Sequence, residues 1–229
     1  MKRIYYIFAA VLIIINLCGS AAPLPEPSPL PSPEATPEPT ANIFDIMSTA
    51  LPTESPAYQV DMAAWYLSEM LAAAATGDVK AGQEAEAGRN AAIDAVGSDE
   101  QKISFDELYL LSRIIYSEAG SDWLEEDFRL CVGEVVMNRV ASPEFPDTIH
   151  DVVYQKGQYS GVNTVKFASL QPGEDCVDTA LKLLQGERLM VPAVVYQSDN
   201  VQGEIFSMYC DHHLGNTYFC LSANLDLYN

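Results

Sequence analysis

The sequence predicts an α+β, mainly helical domain that follows a helical hairpin. Apolar residues recur at helical spacing in two segments of residues 58–97 and in further segments between residues 105 and 185. Residues 191–197 are rich in Val and read as a strand. Hydrophobic residues make up 48 % of the 229-residue chain, which is enough for one sizeable core.

The N-terminus predicts export from the cytoplasm. Lys2 and Arg3 precede an apolar run at residues 4–18, and small residues follow at 19–22. This order is typical of a signal peptide, so we assign residues 1–22 as a signal peptide or, if uncleaved, a membrane anchor. The run is short beside the ~20 residues of a full membrane span. We therefore expect the remaining chain in the cell envelope or outside the cell.

Two segments separate this signal from the main domain. Residues 23–57 are rich in Pro, Ser, Thr and Glu, and we expect a disordered, semi-rigid tether. Residues 58–100 form a helical segment whose two helices are separated by Gly77-Asp78. We expect this hairpin to pack on the following domain or to link to it, and we find no chemistry in it.

The main domain is assigned to residues 101–229. Ser104 and Glu107 form a capping box that starts a helix at Phe105, and Gly120 ends this helix. Residues 205–209 and 218–221 are ambiguous. Further helices are predicted over residues 125–140, over residues 147–154 with an Asp147 cap, and over residues 174–185.

Charge and cysteine content limit the partners. The net charge of −20 argues against nucleic acid and gives no attraction to anionic surfaces. A substrate held by hydrogen bonds and stacking, such as a sugar, is compatible with it. The cysteines outside the signal allow three pairings or buried free thiols, and the sequence leaves both open. These cysteines are Cys131, Cys176, Cys210 and Cys220.

Glu118 is the candidate general acid. It falls in the last turn of the helix over residues 105–119, where the negative end of the helix dipole disfavours a charged carboxylate. That field, together with burial beside Tyr116 and Trp123, would raise its pKa and keep it protonated near neutral pH. On spacing alone, a single acid at a helix end is usually a surface charge.

Four ordered blocks resemble the SleB-type, or spore cortex-lytic, cell wall hydrolases. The first contains Glu118, and the third contains Gln158, Tyr159 and Ser160. The connection after Glu118 departs from the family pattern, because it reads Gly-Ser-Asp-Trp and is longer. The blocks are residues 112–119, 132–146, 149–160 and 215–220.

The resemblance implies a lysozyme-like, lytic-transglycosylase-like domain that cleaves peptidoglycan between N-acetylmuramic acid and N-acetylglucosamine. It implies Glu118 as the catalytic acid. It also implies substrate contacts from Gln158, Tyr159 and Ser160, with the Tyr159 ring as a stacking wall. No metal or organic cofactor is expected, and His212 and His213 are interpreted as surface residues. We expect a monomer that acts on glycan strands of either spore cortex or vegetative wall.

Several alternatives stay open at this stage. Glu134 is a possible second carboxylate, or it pairs with Arg113 or Arg139. Asn138 and Arg139 are interpreted as holding the Ser-Pro turn that follows their helix. The altered loop after Glu118 leaves open a binding or regulatory module of the same fold with little or no activity.

Overall fold

The computed structural model describes residues 55–228, which belong to one compact unit. The predicted signal peptide and nearly all of the predicted tether lie outside the described residues. Across residues 55–228 the fold is mainly helical with one small sheet, which confirms the α+β prediction. None of the helices in this part of the chain is long and apolar enough to cross a membrane.

A helical hairpin opens the described chain. Helix α1 (Pro56–Thr76) begins after the Ser55 cap, so the last residues assigned to the tether are helical. Helix α2 (Val79–Val96) begins after the Asp78 cap, and Gly77 makes the turn between them with φ 76°. This left-handed conformation suits glycine, which has no Cβ to clash.

The hairpin shares a core with the domain that follows. Met70 and Ala85 belong to the same buried cluster as Phe105 and Leu108. A Cβ on Gly82 would lie 2.0 Å from the Phe105 ring, so only glycine permits this contact. The hairpin is therefore packed onto the domain through an interlocked apolar surface.

Five helices build the main domain. Helix α3 (Phe105–Ala119) is capped by Ser104, whose hydroxyl accepts the Glu107 N–H as predicted. Helix α5 is capped by Thr148 rather than Asp147, because the Thr148 hydroxyl accepts the Asp151 N–H. The short helix α6 was not predicted, since one turn shows no periodicity. The remaining bounds are α4 (Glu126–Ala141), α5 (Ile149–Val153), α6 (Val165–Ala168) and α7 (Glu174–Leu184).

Helix α4 is the central element. It is buried on nearly all sides, between α3, α7 and the sheet. A Cβ on Gly133 would lie 2.4 Å from the Leu183 side chain and 2.7 Å from that of Ile115. Gly133 thus sets the close approach of α4 to both α7 and α3.

An antiparallel three-stranded sheet covers the N-terminal part of α4. Strands β1 (Val194–Ser198), β2 (Ile205–Asp211) and β3 (Gly215–Leu221) run in the order β1-β3-β2. Phe128 of α4 stacks on Tyr209 with ring centroids 4.2 Å apart and meets Phe219 edge-on. The two segments left ambiguous by the sequence are therefore a β-hairpin.

The Glu144 carboxylate holds the last residues of the described chain in place. Glu144 accepts hydrogen bonds from Ser222, Asn224 and Tyr228. These bonds lower the pKa of the Glu144 carboxyl. They fix the 3₁₀ helix Leu225–Tyr228 against the turn that leaves α4.

The described cysteines are free thiols. None of Cys131, Cys176, Cys210 and Cys220 forms a disulfide, so the unpaired alternative holds in this part of the chain. Burial raises the pKa of Cys131 and of Cys176 to about 11. Cys210 is exposed on β2.

Candidate active site

Glu118 lies half-buried in the last turn of α3. Loss of solvent on burial raises the pKa of its carboxyl. No hydrogen bond or ion pair joins it to another residue of the described chain. A carboxyl group in this environment retains its proton more readily than an exposed one, which is the property that a general acid requires.

Tyr116 and Trp123, the two rings expected to bury Glu118, are both exposed. Tyr116 is 36 % exposed and lines a separate cavity with Asp122 and Arg129. Trp123 is 56 % exposed and contacts His213 at the tip of the β2–β3 hairpin. Neither of these contacts involves the Glu118 carboxyl, so the burial of Glu118 by these two rings stays a prediction.

Tyr159 is a residue on which the Glu118 charge acts. It comes from the loop after α5, and its ring packs against the main core. Burial raises the Tyr159 pKa, the nearby Arg139 charge lowers it, and the Glu118 charge raises it further. The Tyr159 hydroxyl is buried and has no hydrogen-bond partner among the described residues. Glu118 and this unsatisfied phenol are thus coupled electrostatically, with no hydrogen bond between them.

Arg139 links this group to a row of aromatic rings. Its guanidinium lies 5.4 Å from the Tyr159 ring centroid and 5.2 Å from that of Phe145. Phe145 in turn meets Tyr196 of β1 edge-on at 6.4 Å. No local sequence pattern indicates these contacts, because the residues come from α4, its exit turn, the loop after α5 and the sheet.

Gln158 and Ser160 flank Tyr159 and are both exposed. Ser160 lines a cavity of about 160 Å³ together with Ser117, Thr164 and Lys166. Since Ser117 and Ser160 are the chain neighbours of Glu118 and Tyr159, this cavity adjoins the Glu118–Tyr159 pair. Gln158 lines none of the cavities described here.

Glu134 is fully enclosed in α4. Its two carboxylate oxygens accept the backbone N–H groups of Leu189 at 2.8 Å and Met190 at 2.9 Å. It forms no ion pair with Arg113 or Arg139 in the described structure. Arg113 instead lies over the Tyr109 and Phe167 rings. This geometry favours a structural role for Glu134.

Two further polar side chains of α4 also bind the backbone around the start of β1. Asn138 donates to the carbonyls of Val191 at 3.1 Å and Val194 at 3.0 Å, and Arg139 donates to that of Val195 at 2.7 Å. Their side chains hold the entry to β1 rather than the Ser-Pro turn, which corrects the sequence interpretation. We call Glu134, Asn138 and Arg139 the α4 polar seam.

The described residues contain no cluster of three or more His, Cys, Asp or Glu side chains that could hold a metal ion. His212 and His213 lie at the hairpin tip with ring centroids 5.2 Å apart. Asp211 accepts the backbone N–H groups of His213 and Leu214 there. The tip is thus held by a carboxylate turn.

A half-buried carboxyl with a raised pKa, coupled electrostatically to a buried phenol, is a candidate acid–base site. Residues 125–220 match the family model described as Cell Wall Hydrolase. The match supports a cell wall hydrolase domain, and with it hydrolysis of peptidoglycan in general. No curated protein and no solved structure matched the chain.

The matched range contains most of the site but not its acid. It includes the α4 polar seam, the segment 158–160 and the sheet, and it begins seven residues after Glu118. The support for Glu118 therefore comes from its burial and from its electrostatic coupling to Tyr159.

Proposed function

We propose that this protein cleaves the glycan strand of peptidoglycan between N-acetylmuramic acid and N-acetylglucosamine, with Glu118 as the general acid. The observation that carries the proposal is the Glu118–Tyr159 pair. Glu118 has a pKa raised by burial and no partner to neutralise it in the described chain, and its charge acts on Tyr159, whose hydroxyl is unsatisfied. The Cell Wall Hydrolase match supplies the substrate class.

The reaction we propose is that of a lytic transglycosylase. Protonated Glu118 donates its proton to the oxygen that links the two sugars. The bond from that oxygen to C1 of the muramic acid breaks, its electron pair stays on the oxygen, and an oxocarbenium-like C1 remains. The Glu118 carboxylate then takes the proton from the 6-hydroxyl of the muramic acid, while the 6-oxygen forms a bond to C1. The products are a 1,6-anhydro end and a free 4-hydroxyl, and Glu118 is protonated again.

A single carboxyl group is enough for this route. The ordinary two-carboxylate scheme needs a second acid within reach of the bond. Glu134 is the sequence candidate for that role, and its two oxygens are occupied by backbone N–H groups inside the core. This arrangement supports the one-acid route over the two-carboxylate scheme.

Tyr159 contributes through its hydroxyl in this proposal. Arg139 lies against its ring, and the ring packs on the core, so the ring is a poor stacking wall. Its O–H is buried and unsatisfied, so in this proposal it donates to the Glu118 carboxylate after proton transfer. Arg139 holds this ring in place and adds positive charge beside it.

Clearing of purified cell walls in a zymogram tests the proposal. We expect clearing by the wild type and none by Glu118→Gln, while Glu107→Gln at the far end of the same helix clears normally. Mass spectrometry of the released fragments should find anhydro-muramic ends. Hydrolysed reducing ends would replace the lytic route by hydrolysis, and new amine ends would indicate a peptidase or amidase instead.

Two further results complete this test. Tyr159→Phe should lower kcat on the order of 10²-fold, as the loss of one catalytic hydrogen bond does elsewhere, without loss of stability. Wall binding without clearing by both the wild type and Glu118→Gln would overturn the enzyme proposal. The loop of altered length after Glu118 would then belong to a binding or regulatory module.

A further inference from the structure

Trp123 is an exposed aromatic side chain on a firmly held loop. Its loop joins α3 to α4 and lies before the range that matches the family. The next residue, Leu124, is buried, and its carbonyl accepts a hydrogen bond from the buried Arg129 at 2.6 Å. The loop backbone is thus anchored directly beside an indole that is 56 % exposed.

The indole itself is also held in position. Its ring lies tilted against that of His213 with centroids 5.1 Å apart. The indole also contributes a little to the lowered pKa of the Asp211 carboxyl, which is set mainly by the backbone N–H groups of His213 and Leu214. Asp211 is fixed in turn by the backbone N–H groups of His213 at 2.7 Å and Leu214 at 3.0 Å. The Trp123 ring is therefore held in place while more than half of the residue stays exposed to solvent. We call this ring the Trp123 platform.

Packing does not account for this arrangement. A large aromatic side chain stabilises a fold most when its ring is covered, and here a contact with the His213 ring holds it largely in water. Such a ring offers an apolar face to the C–H surface of a sugar. Asp122 and Asp211 next to it carry hydrogen-bond acceptors for hydroxyl groups, while their charge disfavours anionic ligands.

The platform lies within reach of the acid. Trp123 lies five positions after Glu118, which limits the distance between their Cα atoms to about 18 Å. One oligosaccharide is therefore long enough to span both residues. We propose that Trp123, positioned by His213, forms a sugar subsite that binds the glycan strand away from the bond that is cleaved. This inference rests on the proposed function for the identity of its ligand.

Trp fluorescence tests the subsite without any turnover. The chain contains two tryptophans, Trp65 and Trp123. The probe is the β-1,4-linked tetrasaccharide of N-acetylglucosamine, added to the full-length Glu118→Gln protein. We expect a saturable shift of emission, and we expect the shift to disappear in Glu118→Gln/Trp123→Phe, where only Trp65 emits. An unchanged emission, or an equal shift in both proteins, would overturn the subsite.

Cleavage kinetics give a second readout. Trp123→Ala should raise KM about twofold to tenfold for long glycan strands, leave kcat unaltered, and leave KM unaltered for the shortest cleavable fragment. His213→Ala should give a smaller rise of the same kind, because it only positions the ring. Val201→Ala, at another exposed apolar site, is the control. An equal loss of kcat on long and short substrates would contradict a distal subsite.

The two proposals fail in different ways. If walls are not cleared by the wild type but the tetrasaccharide still shifts Trp123 emission, the enzyme proposal falls and the sugar subsite stands. If walls are cleared and Trp123→Ala has the kinetics of the wild type, the subsite falls and the enzyme proposal stands.

Discussion

Replacing Glu134 by Gln separates a structural role for this residue from a catalytic one. Both of its oxygens accept backbone N–H groups at a fully buried position, at 2.8 Å and 2.9 Å. Gln keeps the volume but has only one acceptor oxygen, and it turns an N–H₂ donor towards the second N–H. One bond is lost and two buried donors face each other.

The cost follows from these contacts. Hydrogen bonds to a charged group contribute about 1.5–3 kcal/mol each, and a buried unsatisfied donor costs a similar amount. We expect Glu134→Gln to lower the free energy of unfolding by about 2–4 kcal/mol, out of a typical total of about 5–15 kcal/mol. For a chain of this size, Tm should fall by roughly 5–15 °C.

Urea denaturation measures the effect, with the slope of the transition as a check on two-state behaviour. Glu126→Gln is the matched control on the same helix, since its carboxylate pairs with Lys182 at the surface and should contribute less than about 1 kcal/mol. Unaltered stability together with lost wall clearing would refute the structural role and restore Glu134 as a second catalytic carboxylate.

Three further predictions concern other parts of the molecule. Burial raises the Glu118 pKa above its value in the unfolded chain. The stability that protonated Glu118 contributes is therefore fully present below the unfolded pKa, and it is lost as pH rises through the folded pKa. Glu118→Gln should therefore raise Tm at neutral and alkaline pH and not at acid pH. Gly82→Ala should destabilise the fold by about 1–3 kcal/mol in urea, since its Cβ would meet Phe105. Cys210 should react first with a thiol reagent in the native protein, because it is the exposed described thiol.

The outcomes that contradict these predictions are equally specific. A Tm difference for Glu118→Gln that is independent of pH would show that ionisation of Glu118 is not its cause. Ala87→Ser, at an exposed position of the same helix, is the control for Gly82→Ala, and equal stability of the two variants would refute the interlocked contact. A fast thiol reaction that persists in Cys210→Ser would place the reactive thiol elsewhere.

Local signals were sufficient for the helix that carries the acid. The Ser104 cap, the apolar stripe and the following glycine lie within one short stretch of sequence, and each acts on its own neighbours. Position 118 at the end of that helix could therefore be predicted. Its surroundings could not, since Tyr159 is supplied by a loop about 40 residues later and no local pattern links the two.

The sheet was harder to predict for a different reason. A register shift between Ile205 and Ser207 interrupts the alternation of β2, and both Ile205 and Phe206 are exposed. A strand that shows consecutive apolar residues to solvent has no clear period of two. Only the pairing with β3 defines it.

The role of Glu134 was undecided from sequence because α4 is buried on nearly every side. A helix with an apolar stripe points its polar residues outward, but α4 has no such outward face along most of its length. The partner of Glu134 is a backbone segment about 55 residues further along the chain. Sequence pattern therefore could not distinguish a core acceptor from a cleft carboxylate.

The family match and the candidate acid are connected through packing. The match begins after Glu118, yet Gly133 within it leaves room for Ile115, which lies one turn before Glu118 on α3. The α4 polar seam also holds β1 against α4. Arg139 of that seam contacts the Tyr159 ring as well. The matched segment thus builds the frame that positions α3 and the phenol, and Glu118 stands where that frame places the end of α3.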